Sequence, residues 1–233
     1  MRTMIKIIVD DQELEVPEGK ILLQVCLEND IYIPNLCFLE EMPSHPASCR
    51  LCFVEIEGQK HPVTSCTVKV TEGLQVKTDT PEVRRLQKSA LRLLLSVHDI
   101  DCRHCPANKK CELQRIARFL KMGLKAKPLE TILKDMEVDT SHACFDYYPN
   151  RCVLCGKCVF TCKQKNGQDM LTFAKRGFNT IVSSFGNAGE RDDLCDDCRE
   201  CVDICPVGAL VLKTVPPAIG YKKIILKSRM TTK

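Results

Sequence analysis

The sequence predicts an α+β chain folded as several small units rather than around one large core. Three observations carry this. Strand and hairpin signals come first, helix signals follow, and a repeated cysteine pattern comes last, so element types are segregated along the chain. The 233 residues include 17 Cys, no Trp and few aromatics, so the apolar cores are aliphatic and modest. The cysteines also gather in tight Cys-x2-Cys spacings, which suit metal binding better than disulfides. Small units bury too little surface to be stable alone, so coordination must supply part of the folding free energy.

Residues 4–80 read as one unit. Ile5 to Val9 and Leu14 to Val16 are apolar-rich around Asp10-Asp11, a hairpin signal. Ile21 to Asn29 has helical spacing after Pro17-Glu18-Gly19. Phe53 to Ile56 and His61 to Thr64 flank Glu57-Gly58, a second hairpin, and Leu74 to Lys77 is a last short strand. Hairpin, helix, then further strands is the order of a β-grasp fold. Thr80-Pro81-Glu82 offers a capping hydroxyl, a proline at the first helical position and an acid in the first turn. The helix so begun is expected to run to about Val97, with Val83, Leu86, Leu93, Leu94 and Val97 as its apolar stripe. A second helix is expected over Glu112 to Lys121. Gly123 to Asp139 is a connector containing Pro128, with a short helical piece around Leu129 to Met136. From Cys144 to Leu212 an internal repeat carries Cys-x2-Cys-x2-Cys-x3-Cys twice. The tail from Thr214, with Pro216-Pro217, reads as an extended arm. The expected boundaries are 1–80, 81–141 with the connector, 142–213 and the arm 214–233.

Fifteen of the 17 cysteines fall into four sets. The runs Cys152, Cys155, Cys158, Cys162 and Cys195, Cys198, Cys201, Cys205 are the most specific. Thiolates at i, i+3 and i+6 on a tight loop can grip three irons of a cubane, and the fourth ligand comes from elsewhere. In two-cluster ferredoxins the fourth Cys of each run binds the other cluster. Cys152, Cys155 and Cys158 are therefore expected to share a 4Fe–4S cluster with Cys205. Cys195, Cys198 and Cys201 are expected to share one with Cys162. Cys205-Pro206 keeps the ferredoxin proline, whereas Cys162 is followed by Lys163. Zinc knuckles are the alternative, but zinc sites usually use two separated Cys pairs, and a third Cys in each half would be surplus.

Cys37, Cys49, Cys52 and Cys66 lie on loops of the first unit. Their spacing departs from the plant-type Cys-x4-Cys-x2-Cys pattern. They share its Cys-x2-Cys pair, an earlier Cys and a distant later one, so four thiolates on this scaffold suit 2Fe–2S, with zinc as the alternative. Cys102, Cys105 and Cys111 leave one coordination position open. His98, at the end of the leucine-rich helix, is the nearest plausible donor, and His104 is a rival between two of the cysteines. His104 is expected to point away from the site, and the residues alone leave open whether His98 is a ligand. Cys26 sits with Leu22 and Leu23 on a helical stripe and reads as a small core residue. Cys144 reads as core packing, or as a spare thiol near the third set.

Several functions are excluded. No apolar run approaches the ~20 residues needed to cross a bilayer, and Met1 to Val9 has no signal core, so a cytoplasmic chain is expected. A net charge of +4 is too small to imply nucleic acid. No Gly-x-Gly-x-x-Gly opens a helix, and no flavin signature or Ser–His–Asp arrangement is present. Such a chain carries electrons without a catalytic centre of its own. Charge is uneven: basic residues dominate 102–128 and acids dominate 186–205, two faces suited to orienting a relay between partners. Asp192, Asp193, Asp196, Asp197, Glu200 and Asp203 crowd the last motif and should lower the potential of a cluster there.

The order of the four sets resembles the N-terminal region of the large iron–sulfur subunit of complex I. It is similar too to that of iron-only hydrogenases and to the small iron–sulfur subunit of soluble NAD-linked hydrogenases. The resemblance covers about residues 4–213, and its most specific part is His98-x3-Cys102-x2-Cys105-x5-Cys111. It implies that His98 ligates a 4Fe–4S cluster with Cys102, Cys105 and Cys111. The total would be one 2Fe–2S and three 4Fe–4S clusters. Complex I large subunits and iron-only hydrogenases continue into long further domains. This chain stops at Lys233 and so resembles the stand-alone relay subunit. All eight ferredoxin cysteines are present, which leans toward an electron-bifurcating or formate-dehydrogenase-associated form. The implied function is a relay between a flavin/NAD(P)-binding subunit and a hydrogenase catalytic subunit in a soluble hetero-oligomer. The alternatives are the same role in an NAD-linked formate dehydrogenase or complex I-like assembly, an independent ferredoxin, or a zinc-stabilised adaptor without redox role.

Overall fold

The computed structural model describes residues 3–125, 127–184, 195 and 198–213. The chain begins with the hairpin β1 (Met4–Val9) and β2 (Gln12–Pro17), paired antiparallel from Met4↔Pro17 to Val9↔Gln12. Ile5, Ile7 and Val9 alternate inward, the period-2 pattern of a half-buried strand. Asp10 and Asp11 both take positive φ (49° and 70°), the backbone of a tight two-residue turn. Asp10 then accepts from the Thr78 N–H at 2.8 Å, tying the turn to the end of the unit.

Helix α1 (Leu22–Glu28) buries Leu22, Leu23, Val25 and Cys26. The strands β3 (Phe53–Ile56), β4 (Val63–Thr64) and β5 (Gln75–Lys77) complete a five-stranded sheet of order β2-β1-β5-β3-β4. The β1–β5 pair is parallel and the others are antiparallel. A parallel pair needs a long crossover, and this crossover contains the loops that hold Cys37, Cys49, Cys52 and Cys66.

Helix α2 (Pro81–Ser96) starts as expected: Thr80 Oγ1 accepts from the Val83 N–H at 3.2 Å. Its buried face is Val83, Gln87, Ala90, Leu91 and Leu95, not the expected stripe. Leu93 is 61% exposed, and Leu86, Leu94 and Val97 are only half-buried. A polar residue inside the stripe hid the true face. Gln87 is 1% exposed because its amide donates to the Phe53 carbonyl at 3.2 Å, so α2 lies on β3.

Helix α3 (Glu112–Phe119) buries Leu113, Ile116 and Ala117 in the same apolar cluster as Leu91 and Leu95. Tyr32 and Phe119 meet edge to face at 4.7 Å, with Arg84 over Phe119 and Arg115 over Tyr32. This latch fixes α3 against the loop that follows α1.

The short helical piece expected around Leu129 to Met136 is absent. Its backbone bonds outward instead: Ile132 N–H donates to Ser96 O at 2.7 Å, and Asn150 brackets Lys134 through both its amide atoms. Local helical spacing lost to these long-range bonds.

The last unit is closed by β6 (Phe145–Tyr147) pairing antiparallel with β9 (Leu210–Leu212). Between them lie α4 (Lys157–Asn166), the hairpin β7 (Leu171–Ala174) and β8 (Ile181–Ser184), and a helical turn at Glu200–Asp203. The expected arm 214–233 lies outside the described residues, as do Asp192, Asp193, Asp196 and Asp197. No helix among the described residues is long and apolar enough to cross a membrane.

Candidate iron–sulfur sites

The first set is buried on loops of the sheet unit. Cys37, Cys49, Cys52 and Cys66 are each 5% exposed or less. Cys37 Sγ and Cys49 Sγ lie 3.5 Å apart. Ser65 donates to the Cys52 carbonyl through its N–H at 2.8 Å and its hydroxyl at 2.9 Å, which places Cys66 beside Cys52. Ala47 and Arg50 sit in the left-handed region, φ 48° and 51°. These non-glycine outliers flank Cys49 and turn the loop sharply around the thiols. Within each pair a side-chain hydrogen bond pushes the two thiols apart in acidity. The hydrogen bond from Cys49 lowers Cys37 while Cys49 is raised, and Cys66 is lowered while Cys52 is raised.

The second set is more open. Cys111 is buried, Cys102 and Cys105 are half-buried, and burial pushes the Cys111 thiol up. The two histidines differ sharply. His104 has its ring exposed, and its Nδ1 meets Asp101 at 2.8 Å. His98 has a buried Nδ1 with no hydrogen-bond partner among the described residues. Burial, first of all, lowers His98 to about 4. The imidazole is therefore neutral, the form that ligates a metal.

The ferredoxin-like repeat forms two cavities. One is lined by Cys152, Cys155, Cys158 and Cys205, with Tyr147, Val207 and Leu210 among its walls. The other is lined by Cys162, Cys195, Cys198 and Cys201, with Cys144, Phe145 and Leu212. Each cavity thus gathers three cysteines of one run and the fourth of the other. Helix geometry is the reason: Cys158 and Cys162 stand about one turn apart on α4, an axial step of about 6 Å, and so reach neighbouring cavities. Cys201 and Cys205, on the turn Glu200–Asp203 and just past it, do the same in reverse.

Amide donors point at these sulfurs. Leu154 N–H donates to Cys152 Sγ at 3.4 Å, Ala209 N–H to Cys205 Sγ at 3.3 Å and Asn166 Nδ2 to Cys162 Sγ at 3.5 Å. Burial raises Cys155 and Cys201 to about 12 and raises Cys158 further. Thiols that burial holds protonated become thiolates when a cation replaces the proton. Among the described residues, no three His, Cys, Asp or Glu side chains converge on a point that a single ion could occupy. Clusters spread their ligands around two or four irons. The donor chemistry, four thiols to a cavity and a neutral imidazole, fits such clusters.

Of the leftover cysteines, Cys26 is buried in the sheet unit's core, where burial raises it to about 12. Cys144 is half-buried and packs against the core, as expected, and it also lines the second cavity, beside the last set rather than the third. The pairing of β6 with β9, invisible in local sequence, puts it there.

Three family models match in chain order. They are a 2Fe-2S iron-sulfur cluster binding domain over residues 2–81, the NADH-ubiquinone oxidoreductase-G iron-sulfur binding region over 87–124, and the ferredoxin-like domain of NADH-quinone oxidoreductase subunit 3 over 145–211. The chain carries regions that match iron–sulfur cluster binding domains and is similar to hydrogenase and NADH–quinone oxidoreductase subunits. It is 31% identical over 226 residues to the NADP-reducing hydrogenase subunit HndD of Solidesulfovibrio fructosivorans, covering 90% of this chain and 36% of that one. It is 30% identical over 220 residues to the NADH-ubiquinone oxidoreductase 75 kDa subunit of Reclinomonas americana, covering 90% and 30%. The chain thus spans only about a third of the length of those two relatives. Against the gamma subunit of the NAD-reducing hydrogenase HoxS of Cupriavidus necator it is 29% identical over 230 residues, 96% of this chain and 94% of the other. A crystal structure of an NAD+-reducing [NiFe]-hydrogenase in the H2-reduced state superposes with TM-score 0.79 at 29% identity, covering 91% and 90%. These relatives are subunits of oxidoreductases.

Proposed function

We propose that this chain is an electron wire of four clusters within a soluble NAD(P)-linked oxidoreductase, with hydrogen as the terminal substrate class. The observation that carries the reading is the pair of cavities, each lined by three cysteines of one run and the fourth of the other. Cys37, Cys49, Cys52 and Cys66 hold 2Fe–2S. His98, Cys102, Cys105 and Cys111 hold 4Fe–4S. Cys152, Cys155, Cys158 and Cys205 hold a second 4Fe–4S, and Cys195, Cys198, Cys201 and Cys162 a third. The units are a β-grasp domain (1–80), a helical domain with connector (81–141), a two-cluster ferredoxin-like domain (142–213) and an arm (214–233).

Each cluster supplies one-electron storage when bound, and the protein's part is to order the sites. Cys37 and Cys49 share an apolar cluster with α2, α3 and Cys111. Glu112, next to Cys111, is hydrogen-bonded to Pro206, next to Cys205. The order is therefore the 2Fe–2S set, the His98 set, the Cys205 cavity, then the Cys162 cavity. The likeness to the HoxS gamma chain favours an NAD-linked hydrogenase assembly, in which a flavin/NAD(P)-binding partner would take the 2Fe–2S end and a hydrogenase catalytic partner the other, in the cytoplasm. The same wire would serve a formate dehydrogenase, and a bifurcating assembly would use it too.

Purification from the native source tests this. The expected result is a brown complex, iron and acid-labile sulfide near 1:1, with a flavoprotein and a hydrogenase subunit attached. A colourless zinc protein would overturn the relay, and a formate dehydrogenase subunit in place of the hydrogenase would reassign the substrate.

A further inference from the structure

Arg151 is 7% exposed, yet it forms no ion pair among the described residues. Its buried Nε has no hydrogen-bond partner there, and its guanidinium lies over the Tyr148 ring at 4.1 Å. Asp101 feels its charge but is already engaged by His104. A buried cation without a counter-charge is costly, and a guanidinium keeps its charge at any working pH. A further anionic group beside it would offset that cost.

Its position shows what that could be. Arg151 precedes Cys152 in the chain. It also acts on His98, whose imidazole feels both its charge and its backbone. The Asp99 N–H donates to the carbonyl of Asn150 at 2.7 Å, closing the His98 turn onto the same loop. The guanidinium thus lies within electrostatic reach of His98, on the residue that precedes Cys152. Thiolate-bound clusters are anionic and gain a further negative charge when reduced.

We propose that Arg151 is a positioning residue for electrons: its buried charge raises the midpoint potentials of the two clusters flanking it, the one held by His98 and the one held by Cys152. It rests on the cluster assignment above. Reduction adds one electron from the neighbouring centre and makes or breaks no bond, so the charge acts on the equilibrium alone. Lys134 also acts on both His98 and Cys152, but its ammonium reaches the Pro149 carbonyl on a flexible stem, whereas Arg151 is enclosed.

The test is an EPR-monitored redox titration of the whole complex, with iron counted for each variant. Absence of the two clusters from the unaltered complex would defeat the assignment itself. With the clusters present, Arg151→Gln is expected to shift both flanking midpoints to more negative values and to leave those of the Cys37 and Cys162 sets in place. Arg151→Lys is expected to return both toward the original. Unshifted midpoints in an Arg151→Gln complex with full iron would overturn the proposal. If Gln costs the clusters, Lys decides: retained iron with near-original midpoints supports the role of charge, and loss of iron in both variants makes Arg151 a packing residue only.

Discussion

The Glu112 N–H donates to the Pro206 carbonyl at 2.9 Å, joining the residue after Cys111 to the residue after Cys205. Two ligand sets far apart in the chain are thereby held at one joint. Gly208 packs into the same joint: a Cβ there would come 2.7 Å from Ala107 Cβ and 3.5 Å from Cys105 Sγ. Its φ of +66° already disfavours any side chain.

Gly208→Ala is therefore expected to destabilise the protein by about 1–3 kcal/mol, through overpacking and a strained backbone. Thermal unfolding of the cluster-loaded protein measures it. An unchanged midpoint temperature would mean that the joint yields at no cost.

Crossed ligation predicts which cluster each late cysteine serves. Cys205→Ala should damage the cluster held by Cys152, Cys155 and Cys158, and Cys162→Ala the one held by Cys195, Cys198 and Cys201. Iron counts with Mössbauer or EPR spectra of each variant distinguish the two. The opposite pattern would restore four ligands from one run to one cavity, against the cavity walls.

His98 and His104 should separate cleanly. His98→Cys replaces a neutral ligand by an anionic one, so the cluster should survive with a more negative potential. His98→Ala should lose it, whereas His104→Ala should change little, because that ring serves Asp101 at the surface. Loss of the cluster in His104→Ala alone would exchange their roles.

Acid should weaken the His98 unit. Burial lowers His98 from 6.5 to about 4, so between those values the unfolded chain binds the extra proton. Stability then falls as pH drops through that window and levels off below it, by about 3 kcal/mol for the full shift. Denaturant midpoints of cluster-free protein at pH 7.5 and pH 5 should converge in His98→Asn relative to the unaltered chain. Parallel losses in both would remove His98 as the cause.

The sequence by itself determined what depends on near neighbours. Alternation placed Ile5, Ile7 and Val9 inward, Thr80-Pro81 started α2, and the cysteine spacing divides each run between two cavities, because about one helical turn separates Cys158 from Cys162. What required the tertiary structure depends on partners distant in the chain. Gln87 enters the core because Phe53 offers it a carbonyl, and 129–136 stays non-helical because Ser96 and Asn150 take its backbone bonds. The orphaned Nδ1 of His98 contrasts with the Asp101-bound ring of its rival His104. Cys144 reaches a cavity wall through the pairing of β6 with β9, and Arg151 its enclosed place near His98 through the Asp99–Asn150 bond. Local propensity is weak beside hydrogen bonds and burial that only a folded chain can supply, so pattern decided the elements and long-range contact decided which residues stand together.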